Sequence, residues 1–255
     1  MSVEINEPKP VVSRFGRKYA WKRDIPDQRD MMFSAPLHAA LPSKVDLSSK
    51  CEPIEDQGVL GSCVSHAIGT CLEFVTTKSA KDLSRLFIYY NCRVLEHDVT
   101  QDNGTTIRTG AKVCTKYGSA IETLWPYDIK KFTIKPPVTA YQDAPKQKAS
   151  QYMALNGLLP MKTCLVQGFP FAIGISVYES FETEKVASTG IIPMPKSNEQ
   201  MLGGHAICAV GYNDTKNAFY CRNSWGIRWG IKGHFWIPYA YLTNTSLAGD
   251  AWTLR

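Results

Sequence analysis

Eight cysteines and five histidines are the side chains of this 255-residue chain best suited to act as nucleophiles and bases near neutral pH. Cys63 differs from the other thiols by its setting. It ends a Gly-rich loop, Gly58 to Gly61, that runs directly into a helical pattern of Val64, Ala67, Ile68, Cys71, Leu72 and Val75. A thiol there sits among unpaired backbone amides at the positive end of a helix dipole, which favours an anion by about 0.3 to 1 kcal/mol. With a cationic partner alongside, such placement lowers a thiol pKa to roughly 3.5 to 7.5, so the chemistry on offer is attack by a thiolate. A cysteine at a helix start also occurs as a plain structural residue. Cys71 in IGTCLEF and Cys208 in AICAVGY lie inside apolar runs and read as small buried hydrophobes. None of Cys51, Cys63, Cys71, Cys92, Cys114, Cys164, Cys208 and Cys221 is spaced as a CxxC pair, so no metal and no cofactor is expected, and most thiols are expected to stay reduced.

A thiolate needs a base. His205 follows Gly203 and Gly204, which leave room for close backbone approach, and it opens an alternating strand that can hold a base rigidly. His66 is the rival, three residues beyond Cys63. Both side chains then project from one helix, leaving little room for a carbonyl between them, and His66 reads as a core residue. His97 and His234 stand in polar or turn contexts and read as surface residues, and His38 lies in the N-terminal stretch. Asn223 in CRNSWG follows a strand reversal that can return it beside His205, where its amide would orient the imidazole. Trp225 can cover that hydrogen bond and exclude water, or simply pack the core. Gln57 can pair its side-chain amide with the Cys63 backbone N–H as an oxyanion hole.

The elements that carry these residues fall into two textures. Helical spacing starts near Cys63, with Ser62 as the expected N-cap, and recurs through LSRLFIYYNCRVLE and through IRTGAKVCTKYG, where Gly118 stops it. From about residue 165 short strand-length runs take over: FAIGISVY, HAICAVGY, AFYCRN and GHFWIPYA. Helices and strands segregated in this way predict an α+β protein with a cleft at the seam. The apolar runs, such as Ala172 to Val177, fall far short of the roughly 18 residues a membrane span needs. The net charge of +6 is spread along the chain and does not point to nucleic acid. The densest basic run is Arg14, Arg17, Lys18, Lys22 and Arg23, which reads as a solvated, loosely ordered N-terminus. The opening MSVEINEPKP has no apolar signal region, so the expected location is the cytoplasm of the producing cell, or outside it by a route without a visible signal peptide.

Three blocks resemble, in order, those of the papain family of cysteine peptidases. They are Gln57, Gly58, Gly61, Ser62 and Cys63; then Gly204, His205 and Ala206; then Asn223, Ser224, Trp225, Gly226, Trp229, Gly230 and Gly233. Leu41, Pro42, Val45 and Asp46 are similar to the family's usual mature start. The resemblance implies a papain-like α+β fold, a helical left domain and a β-barrel-like right domain with the active-site cleft between them. Residues 1–40 would then be an N-terminal extension, 41–150 a mainly helical subdomain carrying the nucleophile, and 151–255 a β-rich subdomain carrying His and Asn. The implied function is a cysteine endopeptidase working through a thioester on protein or peptide substrates, with Cys63, His205, Asn223 and Gln57 catalytic and Gly104, Thr105, Gly204 and Trp225 contacting substrate. Another thioester acyl transfer, such as deamidation or transpeptidation, and an inactive papain-fold binding protein are the alternatives. Departures from the family pattern are Val64 and His66, where aromatic residues are usual, Leu60 in place of a disulfide cysteine, and the segment Asp102 to Thr105 in place of a glycine-rich, cysteine-bearing loop. The extension is too short for the large helical prodomain of many relatives. It can lie extended as a propeptide or cleft occluder, stiffened by Pro26 and Pro36 and anchored by Phe15, Tyr19, Trp21, Met31, Met32 and Phe33, or it can pack as a tail away from the cleft.

Overall fold

The computed structural model describes residues 13–14, 16–35, 40–76 and 82–255, so Phe15, Pro36 and His38 lie outside the described residues. At its centre is helix α1 (Cys63–Val75), buried at every residue from Cys63 through Leu72. Buried on all sides, with Ser65, His66 and Thr70 among its apolar residues, α1 is covered by α2 (Arg85–Leu95), by α3 (Ile107–Lys116) and by the main sheet. Val64 and Ile68 press on Gly110 of α3, where a Cβ would lie 3.3 and 3.1 Å from their methyls. This close crossing explains why Val64 suits a position where a tryptophan was the expectation. Gly118, at φ +76°, stops the chain just after α3, as its place in the sequence predicts.

Ser62 holds the N-cap position of α1, but its side chain makes no capping bond. Its hydroxyl is taken by the Tyr127 hydroxyl instead. Ser84 does cap α2, accepting from Phe87 N at 3.1 Å.

The short helix α4 (Val138–Asp143) leads to the main sheet, whose strand order is β4 (Tyr152–Leu155), β9 (Ala248–Leu254), β5 (Phe171–Tyr178), β6 (Met201–Asn213), β7 (Ala218–Arg222) and β8 (His234–Pro238). Helices α5 (Leu158–Val166), α6 (Glu184–Thr189) and α7 (Tyr239–Leu242) connect these strands, and β2 (Lys44–Asp46) adds to β6 from the helical side. All neighbours in the main sheet are antiparallel.

The N-terminal segment is no detached tail. Its strand β1 (Trp21–Lys22) pairs in parallel with β3 (Thr105–Thr106), Trp21 opposite Thr105. Further on, Phe33 N donates to Ala154 O and Ala154 N to Met31 O, both at 2.8 Å, so residues 31–33 extend the sheet past β4. Trp21 and Phe33 are both buried in the main core. No described helix is long and apolar enough to cross a membrane.

Candidate active site

Two antiparallel strands bring His205 and Asn223 together. The register of β6 on β7 ends with Cys208 opposite Arg222, so the chain beyond β7 carries Asn223 back toward His205. His205 Nε2 donates to Asn223 Oδ1 at 2.8 Å, and that oxygen also accepts from Ser224 N at 2.9 Å, which identifies it as the acceptor. The Trp225 ring covers the pair, its centroid 4.9 Å from the imidazole and tilted by 31°. Phe181 and Trp229 pack against Trp225 at 5.7 and 5.0 Å and close the apolar cover. Burial holds His205 down at about 4, so its imidazole is neutral.

Cys63 is the first residue of α1 and is fully buried. Burial pushes its thiol up, and the nearby backbone of Ala206, Ala20 and Val64 opposes that shift. The loop that leads into Cys63 is tied to the Asn223 loop through Gln57. Its backbone N donates to Ser224 O at 2.9 Å, and Ser224 Oγ donates to Gln57 Oε1 at 2.7 Å. Gln57 Nε2 donates to Leu60 O at 3.0 Å. Gln57, Ser224, Asn223, His205 and Trp225 are thus joined in one chain of contacts, and α1, which begins at Cys63, packs against β6.

Comparison with known proteins decides what this site is. The profile described as "Papain family cysteine protease" matches residues 41–251. This chain belongs to the papain family and is a cysteine peptidase. It is 37% identical to xylellain, a cysteine protease from Xylella fastidiosa whose crystal structure superposes with a TM-score of 0.88 over 98% of both chains. It is 36% identical to an uncharacterized peptidase C1-like protein of Acanthamoeba polyphaga mimivirus, over 95% of this chain and 88% of that one. Cysteine proteinase 3 of Entamoeba histolytica is 26% identical, over 77% of this chain and 62% of that protein. The peptidase is therefore a papain-like thiol hydrolase that cleaves peptide bonds through an acyl-enzyme.

Of the positions expected to contact substrate, Gly104, Thr105 and Gly204 touch the peptidase's own N-terminal segment. Thr105 pairs with Trp21. Gly104 has φ +72°, and a Cβ there would collide with the Ala20 carbonyl. A Cβ on Gly204 would lie 2.6 Å from the Trp21 carbonyl oxygen. Tyr19 stands edge-on to His205, ring centroids 6.1 Å apart.

His66 lies on α1 with Nδ1 3.0 Å from Ser62 O, and it is buried as expected of a core residue. His97 is exposed, whereas His234 is half-buried and stacked on Tyr220 at 5.1 Å, because the β7–β8 pair sets the two rings side by side. None of the eight cysteines is in a disulfide, and the Cys71 and Cys208 sulfurs stand 3.8 Å apart. Among the described residues no group of three or more His, Cys, Asp or Glu is placed to hold a metal ion.

Sequence reasoning missed that acidic residues, Asp56, Asp102 and Glu182 among them, meet the N-terminal segment. Asp102 accepts from Gly61 N at 3.0 Å and from Lys18 Nζ at 2.9 Å. Asp56 pairs with Arg17. Glu182, 4% exposed, accepts from Arg14 N at 2.7 Å and from the Tyr19 hydroxyl. The signal that could have found them is the basic run Arg14 to Lys18, which called for acidic partners rather than for solvent.

Proposed function

We propose that Cys63 is the nucleophile, His205 the general base and acid, Asn223 the residue that orients His205, and Gln57 with the Cys63 amide the donors that hold the oxyanion. The observation carrying this reading is the His205 Nε2 to Asn223 Oδ1 hydrogen bond beneath Trp225, because it leaves Nδ1 to exchange a proton with the thiol. The thiolate attacks the peptide carbonyl carbon, and the carbonyl electron pair moves to oxygen, toward the Cys63 N–H and the Gln57 Nε2 hydrogen not spent on Leu60 O. His205 gives its proton to the amine as the C–N bond breaks, leaving a thioester. Water then attacks with His205 as base, and the thiolate is regenerated. Gly104, Thr105 and Gly204, which the N-terminal segment covers here, offer the substrate a backbone edge once that segment has left. The division at residues 41 and 151 serves this chemistry, with α1 supplying the nucleophile from one side and β6 the base from the other.

Residues 16–35 act as an occluder in this reading. Ala20 lies at the sulfur, Trp21 fills the space over Gly174 and Gly204, and Arg17, Lys18 and Tyr19 are each tied to an acidic partner. A neutral buried thiol beside a neutral imidazole is the resting form that such occlusion favours, and the ion pair forms once the segment leaves. Quenching turnover in acid, with the segment cleaved or displaced, and mapping the acylated residue tests the catalytic assignment. The acyl group is expected on Cys63, and its appearance on another residue would overturn it.

A further inference from the structure

Asn223 uses only one end of its amide in the geometry above. Oδ1 serves His205 and Ser224, whereas Nδ2, on a residue 4% exposed, has no partner among the described residues. A buried donor left in this way costs about 1 to 3 kcal/mol, and such groups ordinarily reach a water. Asn223 lines a small cavity of about 10 Å3 between α1 and the β6–β7 pair, roughly the space of one water molecule.

The polar walls of this cavity are nearly all committed. Arg222 donates to the carbonyls of Glu52 and Pro53, the Thr70 hydroxyl to His66 O at 3.2 Å, and Ser224 Oγ to Gln57. His66 Nδ1 faces the Ser62 carbonyl, so it carries the hydrogen and Nε2 presents a lone pair. What remains is one donor, Asn223 Nδ2, and two acceptors, His66 Nε2 and the Glu55 carboxylate, which stand 3.8 Å apart.

We propose that one buried water takes a hydrogen bond from Asn223 Nδ2 and gives its two hydrogens to His66 Nε2 and Glu55, making His66 and Glu55 positioning residues for His205. The proposal rests on the reading of Asn223 as the residue that orients His205. An amide engaged at Nδ2 is a better acceptor at Oδ1, and it cannot rotate away from the imidazole. Glu55 is fixed in turn by Arg85 at 2.8 Å, which also meets Glu73 at 2.8 Å, so the relay ends on a braced carboxylate. The same relay gives His66 a purpose at a position where a hydrocarbon ring would offer no acceptor.

The test uses full-length protein labelled with 15N-histidine and follows the His205 Nε2–H signal, identified by its loss in His205→Gln. Glu55→Gln and His66→Leu are expected to shift it, His66→Gln, which keeps an acceptor, to bring it back toward the wild-type position, and all three to add nothing once Asn223→Ala is present. In the activated peptidase, Glu55→Gln should lower kcat/KM about two- to tenfold, the worth of one hydrogen bond. An unmoved signal in folded Glu55→Gln protein, or the same shift without Asn223, overturns the relay. Should His66→Leu fail to fold, Glu55→Gln with and without Asn223→Ala decides alone. An acyl group trapped away from Cys63 would instead remove the catalytic reading and leave the measured coupling in place.

Discussion

Gln57 braces the loop before Cys63 with both ends of its amide. Its Oε1 receives the Ser224 hydroxyl and one Nε2 hydrogen reaches Leu60 O, so a second N–H is left for the oxyanion role proposed above. Gln57→Ala should lower kcat by about 10² to 10³, the usual loss for an oxyanion donor, with a small change in KM. Steady-state kinetics on a small peptide check this, and an unchanged kcat would place the amide outside the hole. His66 supplies a second prediction at this scale, through pH. Burial holds it down at about 3, against about 6.5 in the unfolded chain, so the folded protein binds fewer protons between those values. Stability contributed by the neutral ring is complete above about pH 6.5 and is lost as pH falls toward 3. His66→Gln, which does not titrate, should gain on the wild type by up to about 1.4 kcal/mol per pH unit as the pH drops through that window, measured by denaturant unfolding. The catalytic candidates were legible because their chemistry needs particular residue types in a particular order, Gln, Cys, His, Asn. Glu55, Asp102 and Glu182 were not, because a carboxylate far along the chain gives no local sign of which cation it will meet.

Strand β1 is two residues long, yet it stands against both halves of the cleft. It is held by shape as much as by hydrogen bonds, since Trp21 lies flat against Gly174 of β5 and Gly204 of β6. A methyl on Gly174 would overlap the indole, and the backbone there needs no left-handed conformation, so the strand rather than the sheet should give way. Gly174→Ala in the full-length peptidase is therefore expected to raise both its activity and the rate at which Cys63 is alkylated. Equal rates in variant and wild type would mean that Trp21 does not hold the segment in place. The long strands β5 and β6 were readable from their apolar runs. β1 was not, because two residues show no period and their partner, β3, lies far along the chain. Ser62 shows the same limit in another way: a hydroxyl at a helix start predicts a cap, but Tyr127 arrives from a distant loop and takes it.

Across the whole molecule the N-terminal segment has two attachments with different tasks. Residues 19–21 lie against His205, Gly104 and Gly204, whereas residues 31–33 prolong the sheet beside β4 and bury Phe33. A chain beginning at Met31 loses the buried Trp21 and should trade some Tm for a markedly higher kcat/KM than the full-length protein. One beginning at Leu41 should be less stable, because it exposes the β4 edge and deletes a buried aromatic, a loss of about 3 to 5 kcal/mol at most. Equal stability of the two shortened chains would count against the second attachment, and equal activity of all three against occlusion. The family's usual mature start hinted at a boundary near Leu41 from local wording, but pairing to a sheet edge has no local wording to read.

The seating of two carbonyls has a chemical consequence. The Ala20 carbonyl lies against Gly104 and the Trp21 carbonyl against Gly204, where a Cβ would come within 1.7 and 2.6 Å of their oxygens. Only a bare backbone fits under either one, so any side chain at these two positions has to push the N-terminal segment off its seat. The segment and the two glycines are a matched pair, and a change in one has to be answered in the other.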